Sequence, residues 1–293
     1  MPKKQGRIPL RERVNELRKI YGAAGKDIAR ELSLFDIGNY GELKVMKTEE
    51  EIDSIVKKLN TAVIKWADIS ISEAYMKGYE ISKTRLEILG AKRNQEFSPI
   101  THKNVIGDWT DKTIDGLLRA NMGIKPNIAI YLYLARQTHN NIMQIQEFDL
   151  RDEEVISGLL DEAILEGASR GELEQLIRVH FKRELYERKF ININGRNYDM
   201  IKYARMVART RMRTVQSEAV KNTCKQYDND LVEISDHGTT CPICIPYEGN
   251  VYSLSGSHPA YPFLPDSPPY HPSCEHSMAP TSEVALEWRE KYD

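Results

Sequence analysis

The sequence has few cysteines, no long hydrophobic run and no overall excess of either charge. Only 4 of its 293 residues are cysteine, too few for a small secreted fold held together by disulfides. The longest apolar stretch, residues 128–135, is far shorter than the ~20 residues that cross a bilayer. The apolar part of a signal peptide would follow the basic start, but that place is taken by the charged residues Arg11, Glu12, Arg13 and Glu16. We therefore expect the protein to fold in a cytoplasm, without a membrane partner.

What the sequence does contain is typical of a globular protein, with 41% hydrophobic and 29% charged residues. A length of 293 residues corresponds to about two domains. The composition changes near residue 190, so we predict a helical N-terminal domain over 1–189 and a small α+β module over 190–293. The expected fold class is α+β, predominantly α-helical, with long helices in the first domain.

The first two-thirds of the chain carries helix signals. Thr48 and Glu51 form a capping-box pattern, and apolar residues then recur at helical spacing as far as Trp66. No proline interrupts this segment before Pro99. We predict one long helix here, kinked near Gly78.

The last third carries mixed signals. The Asn194-Gly195 pair, flanked by alternating apolar and polar residues, predicts a β-hairpin. We predict a helix over residues 200–225 and a strand over residues 231–235. Nine of the 13 prolines then lie between Pro242 and Pro280. Because proline lacks the backbone donor of helix and sheet ladders, something else has to order this stretch.

Three of the four cysteines and four of the seven histidines lie between His237 and His276, a range that largely coincides with this proline-rich stretch. Two short pairs, Cys241-Pro-Ile-Cys244 and His271-Pro-Ser-Cys274, have the spacing with which a chain offers four tetrahedral ligands to zinc. The prediction is a structural zinc site formed by Cys241, Cys244, His271 and Cys274. His237 and His276 are alternative ligands, whereas Cys224 on the preceding helix is expected to be packed.

Two other interpretations of this cluster remain open. In the first interpretation, Cys241 and Cys244 are buried thiols or a redox pair. The second is a zinc-dependent hydrolase or nuclease, with Asp236, His237 or Glu248 as the base. A thiolate-rich ligand set closes the metal's coordination shell, which favours a structural ion over a catalytic one. We predict no catalytic residues and no small-molecule substrate.

Charge is divided into blocks that cancel in the total. Residues 1–30 carry a net charge of +6, 147–174 of −8, 178–225 of +9 and 227–293 of −9. One stripe along the predicted helix is formed by Lys202, Arg205, Arg209 and Arg213. This stripe is a possible contact for DNA or a protein partner; the alternative is pairing with an acidic block of the chain or with a neighbouring subunit. The basic start is expected to form a flexible arm that meets a partner or DNA.

Several stretches of the last third, taken in their order and spacing, resemble one known family. They are 194–198, 203–210, 231–237, 241–244, 248–253 and 268–274. Together they resemble the minor capsid or minor head proteins of tailed bacteriophages, the group that includes the Mu F-like head morphogenesis proteins. The Cys/His positions of this family correspond here to Cys241, Cys244, His271 and Cys274.

The resemblance implies a structural role in the phage virion. It implies a low-copy protein, assembled in the host cytoplasm, that associates with the portal protein, with the major capsid or scaffold protein, or with genomic DNA. Its place would be the capsid interior or the portal vertex, and its role head assembly and DNA packaging or ejection. A nucleic-acid-binding zinc module encoded by the host is a further alternative.

Overall fold

The computed structural model describes residues 11–34, 42–94, 98, 100–125, 128, 132, 189–193 and 196–292. Contacts divide the chain into two compact units. One comprises Met1–Glu16, Lys65–Ile114 and Arg205–Asp293, and the other Leu17–Ile64 and Asp115–Ala204. The predicted domain boundary at residues 189 and 190 stays a prediction.

Helices dominate the described residues. They are α1 (Arg11–Leu34), α2 (Glu42–Ile88), α3 (Ile100–Met122), α4 (Met200–Gln226) and α5 (Glu283–Tyr292). The structure therefore confirms the predominantly helical α+β class. No helix among the described residues has the length and apolar character needed to cross a membrane.

Two predictions for the N-terminal part of the chain need correction. The long helix α2 begins at Glu42 and not at Thr48, whose hydroxyl instead donates to the Lys44 carbonyl at 2.9 Å. A threonine inside a helix can satisfy its hydroxyl in this way, so a capping-box pattern does not by itself fix a helix start. The basic segment expected to be a flexible arm is helical from Arg11 onward, and residues 1–10 lie outside the described part.

The first unit buries aromatic side chains of α2. Trp66 is 1% exposed, and its indole N–H donates to the Arg13 carbonyl at 2.9 Å. The helix continues through Gly78, where an added Cβ would lie 3.0 Å from the Cβ of Ala219 and 3.1 Å from the carbonyl oxygen of Gln216. The glycine thus permits close packing of α2 against α4.

The second unit has its own buried residues and a small hairpin. Strands β1 (Ile191–Ile193) and β2 (Arg196–Tyr198) pair antiparallel, with Ile193 opposite Arg196. This pairing confirms the predicted hairpin, although Asn194 and Gly195 themselves lie outside the described residues. The Tyr21 hydroxyl is buried and donates to Asn121 at 2.8 Å.

A three-stranded antiparallel sheet lies in the first unit and adjoins the proline-rich segment. The central strand is β3 (Leu231–Ile234), flanked by β4 (Val251–Ser253) and β5 (Met278–Pro280). Pro280 is on an edge strand, where its missing donor costs no central ladder bond. The buried residues of this region are Val220, Cys224, Val232, Ile234, Tyr252, Leu264 and Met278. Cys224 is packed, as predicted, and burial raises its pKa to about 12.

Candidate metal centre

Two proline turns place the four predicted ligands. In the first, the Cys244 N–H donates to the Cys241 carbonyl at 3.0 Å, with Pro242 as the second residue of the turn. In the second, the Cys274 N–H donates to the His271 carbonyl at 3.0 Å, with Pro272 in the same position. Proline is favoured there because its fixed φ suits the turn. The first turn brings Cys241 and Cys244 into one candidate ligand group, whereas His271 and Cys274, from the second turn, belong to different groups of the described residues.

The second turn also requires an unusual backbone angle. Ser273 has φ of +66°, the left-handed conformation that the third residue of a type II turn adopts. Near it, the Ser217 hydroxyl donates to the Pro268 carbonyl at 2.5 Å, and Arg209 pairs with Glu275 at 3.2 Å. These contacts hold the loop that carries His271 and Cys274 against α4.

The ligand atoms come together across the two turns. The Nε2 atom of His271 lies 3.1 Å from Cys244 Sγ and 3.5 Å from Cys241 Sγ, and Cys244 Sγ lies 3.8 Å from Cys274 Sγ. A tetrahedral zinc ion with its usual bond lengths separates two sulfurs by about 3.8 Å and a sulfur from a nitrogen by about 3.5 Å. The cluster could therefore bind a metal ion with little movement.

His276 joins the same cluster from the start of the segment that leads into β5. Its Nδ1 atom lies 3.5 Å from Cys274 Sγ, and its Nε2 atom lies 3.0 Å from a carboxylate oxygen of Glu248. Among the described residues, the candidate ligands form two groups that share Cys244: Cys241, Cys244 and His271, and Cys244, Cys274 and His276.

His237, the other alternative ligand, belongs to neither of these groups within the described part of the chain. Its ring is exposed, and its Nε2 atom lies 2.9 Å from the Ser235 hydroxyl. Asp236, between them in sequence, accepts the Gly238 N–H at 3.0 Å.

The pKa values of two thiols in the cluster, Cys241 and Cys244, are shifted in opposite directions. Hydrogen bonds from the backbone N–H groups of Ile243 and Cys244 lower the pKa of Cys241. Burial and the neighbouring thiols of Cys274 and Cys241 raise the pKa of Cys244 to about 12. A cation would reverse this second effect, because a metal ion offsets the charge of the thiolates it binds.

Glu248 is held by three donors. Its carboxylate accepts the His237 N–H at 2.6 Å, the Thr239 N–H at 2.9 Å and a bond from His276 at 3.0 Å. Burial opposes ionisation of Glu248, but these donors together hold its pKa below the usual range. A lowered pKa makes the carboxylate a poorer proton acceptor, so the arrangement favours a structural role over that of a general base.

The basic stripe lies along α4 as the helical spacing requires. Lys202 and Arg205 are exposed, and Arg213 is half-buried. Arg209 pairs with Glu275, a member of the acidic C-terminal block. Pairing with an acidic block of the same chain therefore accounts for one of the four stripe residues.

Sequence reasoning did not pair Glu248 with His276. The two residues are 28 positions apart, and the sequence offers them for separate roles, Glu248 as a base and His276 as an alternative ligand. No local pattern signals their contact. The two residues meet because β4 and β5 both pair with β3, one on each side of it.

Comparison with known proteins identifies the part of the chain that contains this centre. Residues 172–280 match the family model described as phage minor capsid protein 2. No curated protein and no solved structure matches the chain. The matched range includes both proline turns, the three-stranded sheet and all of α4. The chain therefore carries a phage minor capsid protein 2 domain over residues 172–280.

Proposed function

We propose that the chain is a low-copy structural component of the phage virion that acts in head assembly and in DNA packaging or ejection. The observation that carries this proposal is the match of residues 172–280 to the phage minor capsid protein 2 family. This is a family of structural capsid proteins and not a known enzyme family. The portal protein, the major capsid or scaffold protein and genomic DNA are the partners we propose.

Zinc is the metal we propose for the Cys/His cluster, in a structural role. The ligand set predicted from the spacing has three thiols and one histidine: Cys241, Cys244, His271 and Cys274. Such a set suits zinc better than it suits harder cations. The segment between β3 and β5 has little backbone ladder of its own, so coordination would supply folding free energy that its loops lack.

The charge pattern supports docking between unlike surfaces. Lys202 and Arg205 are exposed on α4, and Arg209 is engaged with Glu275. We therefore propose that the exposed part of the stripe meets DNA or an acidic protein surface. Retardation of double-stranded DNA by the full-length protein should weaken steeply as salt rises, because binding releases counterions.

A matched pair of variants tests this contact. Lys202→Gln with Arg205→Gln should reduce the salt dependence of DNA binding, whereas Glu275→Gln should leave binding equal or stronger because it releases Arg209. Equal binding by the double variant and the wild type would remove the stripe from the proposal. Absence of DNA binding at low salt would leave the protein-docking version.

Quantitative mass spectrometry of purified virions tests the main proposal. We expect the chain in intact particles at a low, fixed ratio to the major capsid protein. Emptied heads obtained after DNA ejection then show whether it stays in the shell or leaves with the genome. Absence from intact virions would overturn the virion assignment.

A further inference from the structure

The metal centre offers more donors than one tetrahedral ion uses. Three thiols and two ring nitrogens form the cluster: Nε2 of His271 lies near the Sγ atoms of Cys241 and Cys244, and Nδ1 of His276 lies near Cys274 Sγ. A structural zinc ion takes four ligands, so one of the five donors is surplus. Burial and hydrogen bonding distinguish the two histidines.

His276 belongs to the buried half of the cluster. It is 3% exposed, Cys244 is 1% exposed and Cys274 is 4% exposed. Cys241 and His271 are only half-buried. A buried ring nitrogen requires a partner, and Nδ1 of His276 faces Cys274 Sγ at 3.5 Å.

Glu248 fixes which nitrogen of His276 is available to a metal. Because the ionised carboxylate is an acceptor, the proton of the neutral ring lies on Nε2, 3.0 Å from Glu248. The lone pair of Nδ1 then points at the thiols. A carboxylate that orients a histidine in this way is the usual outer partner of a zinc-bound imidazole.

Glu248 is itself well fixed for this task. The backbone N–H groups of His237 and Thr239 both donate to its carboxylate. The orientation of His276 is therefore coupled to the loop that follows β3.

His271 has a weaker support. Its outer nitrogen, Nδ1, lies 2.9 Å from the carbonyl of the next residue, Pro272. The ring lies on the exposed side of the cluster, next to the half-buried Cys241. A half-buried donor held by one neutral carbonyl is easier to replace than a buried donor held by a carboxylate.

We propose that the ion is bound by Cys244, Cys274 and His276, and that Cys241 and His271 compete for the fourth position. Glu248 acts through His276 as a positioning residue. This inference rests on the proposed metal site and changes its ligand set, because spacing alone selects His271 and gives His276 only as an alternative ligand.

Zinc affinity of the full-length protein, measured by competition with a chromophoric chelator, tests the proposal. His276→Ala should weaken zinc binding by more than about 100-fold, and Glu248→Gln by about 10- to 100-fold. His271→Ala and Cys241→Ser should each cost less than about tenfold, because the other residue fills the fourth position. A loss in His271→Ala equal to or larger than that in His276→Ala would overturn the proposal.

A ligand replacement separates coordination from folding. His276→Cys should recover most of the affinity lost in His276→Ala, and its cobalt complex should show a stronger sulfur-to-cobalt charge-transfer band than the wild type. Adding Glu248→Gln to His276→Cys should cost little further affinity, since no imidazole is left to orient. A band of unchanged intensity in His276→Cys would count against His276 as a ligand.

The wild-type protein distinguishes the two levels of the proposal. Zinc binding in the wild type with no loss in His276→Ala would overturn only the ligand set proposed here. Absence of zinc and cobalt binding in the wild type would overturn the metal centre as a whole, and with it this inference.

Discussion

The long helix α2 and the segment 235–277, which consists of loops apart from strand β4, are ordered by different means. In α2 the backbone satisfies its own hydrogen bonds, and side chains such as Trp66 and Ile71 are almost fully buried. In the loop segment, by contrast, Ile243 and Phe263 are more than half exposed, and several backbone N–H groups bond to side chains of the cluster region. The helix needs one apolar face to be buried, whereas the loops need specific side chains to meet.

This comparison makes metal removal the largest expected effect. Cys244→Ser removes the thiol shared by both candidate ligand groups, and structural zinc sites contribute about 10–16 kcal/mol of apparent binding free energy in zinc-finger peptides. We expect loss of zinc together with loss of amide protection over 235–277, while the amides of α2 stay protected. Hydrogen exchange followed by mass spectrometry measures both regions at once.

A second cysteine provides the control for this change. Cys224 is fully buried in the apolar cluster and belongs to neither ligand group of the described residues. Cys224→Ala should lower stability through packing but leave zinc content unchanged. If chelation of the wild type left protection over 235–277 intact, the loops would be ordered without metal and the comparison would fail.

Trp66→Ala tests how far the stability of α2 depends on its buried side chains. Trp66→Ala removes a side chain that is 1% exposed and its hydrogen bond to Arg13, at a cost of about 3–5 kcal/mol. Denaturant unfolding should show this loss, with zinc content unchanged. Trp288 of α5 is 66% exposed, so Trp288→Ala should change stability by about 0.5 kcal/mol or less; equal effects of the two substitutions would contradict the assignment of the core.

Substitution of two glycines by alanine tests how closely α2 and α4 pack. Gly78→Ala places a Cβ 3.0 Å from Ala219 and 3.1 Å from the Gln216 carbonyl, and overpacking of this kind costs about 1–3 kcal/mol. Gly107 of α3 has no atom within 4 Å of an added Cβ, so Gly107→Ala should gain up to about 1 kcal/mol from helix propensity. Gly78→Ala should lower the melting temperature and Gly107→Ala should raise it. A stabilising Gly78→Ala would show that α2 and α4 do not approach closely there.

The smallest effect is expected at the ion pair between α4 and the metal loop. Arg209 and Glu275 have side chains that are 42% and 47% exposed, and exposed pairs contribute about 0–1 kcal/mol. Glu275→Gln should lower stability by no more than this, and only at low salt. A large loss that persists in high salt would show that the pair carries more of the loop's stability than its exposure allows.

The predictions that succeeded depend on local patterns. The hairpin, α4 and β3 follow from turn chemistry and from the spacing of apolar residues within about ten positions. The two proline turns of the cluster are equally local, since each spans four residues. Thr48 shows the limit of this approach, because its hydroxyl has a second way to be satisfied inside a helix.

Contacts between residues far apart in the sequence could not be predicted from local patterns. Arg209 and Glu275 are 66 positions apart, and Gly78 meets residues more than 130 positions away. Nothing local in either segment identifies its partner. Such contacts depend on how helices and strands pack.

The sequence by itself determined that the protein is largely helical and that its proline-rich segment could not be ordered by backbone ladders alone. It also predicted metal ligands in two short Cys/His pairs. Only the tertiary structure decided that His276 joins those pairs with Glu248 behind it. The physical reason is that backbone preference and ligand spacing act within a few residues. The set of side chains that shares one site is fixed instead by the pairing of strands far apart in sequence.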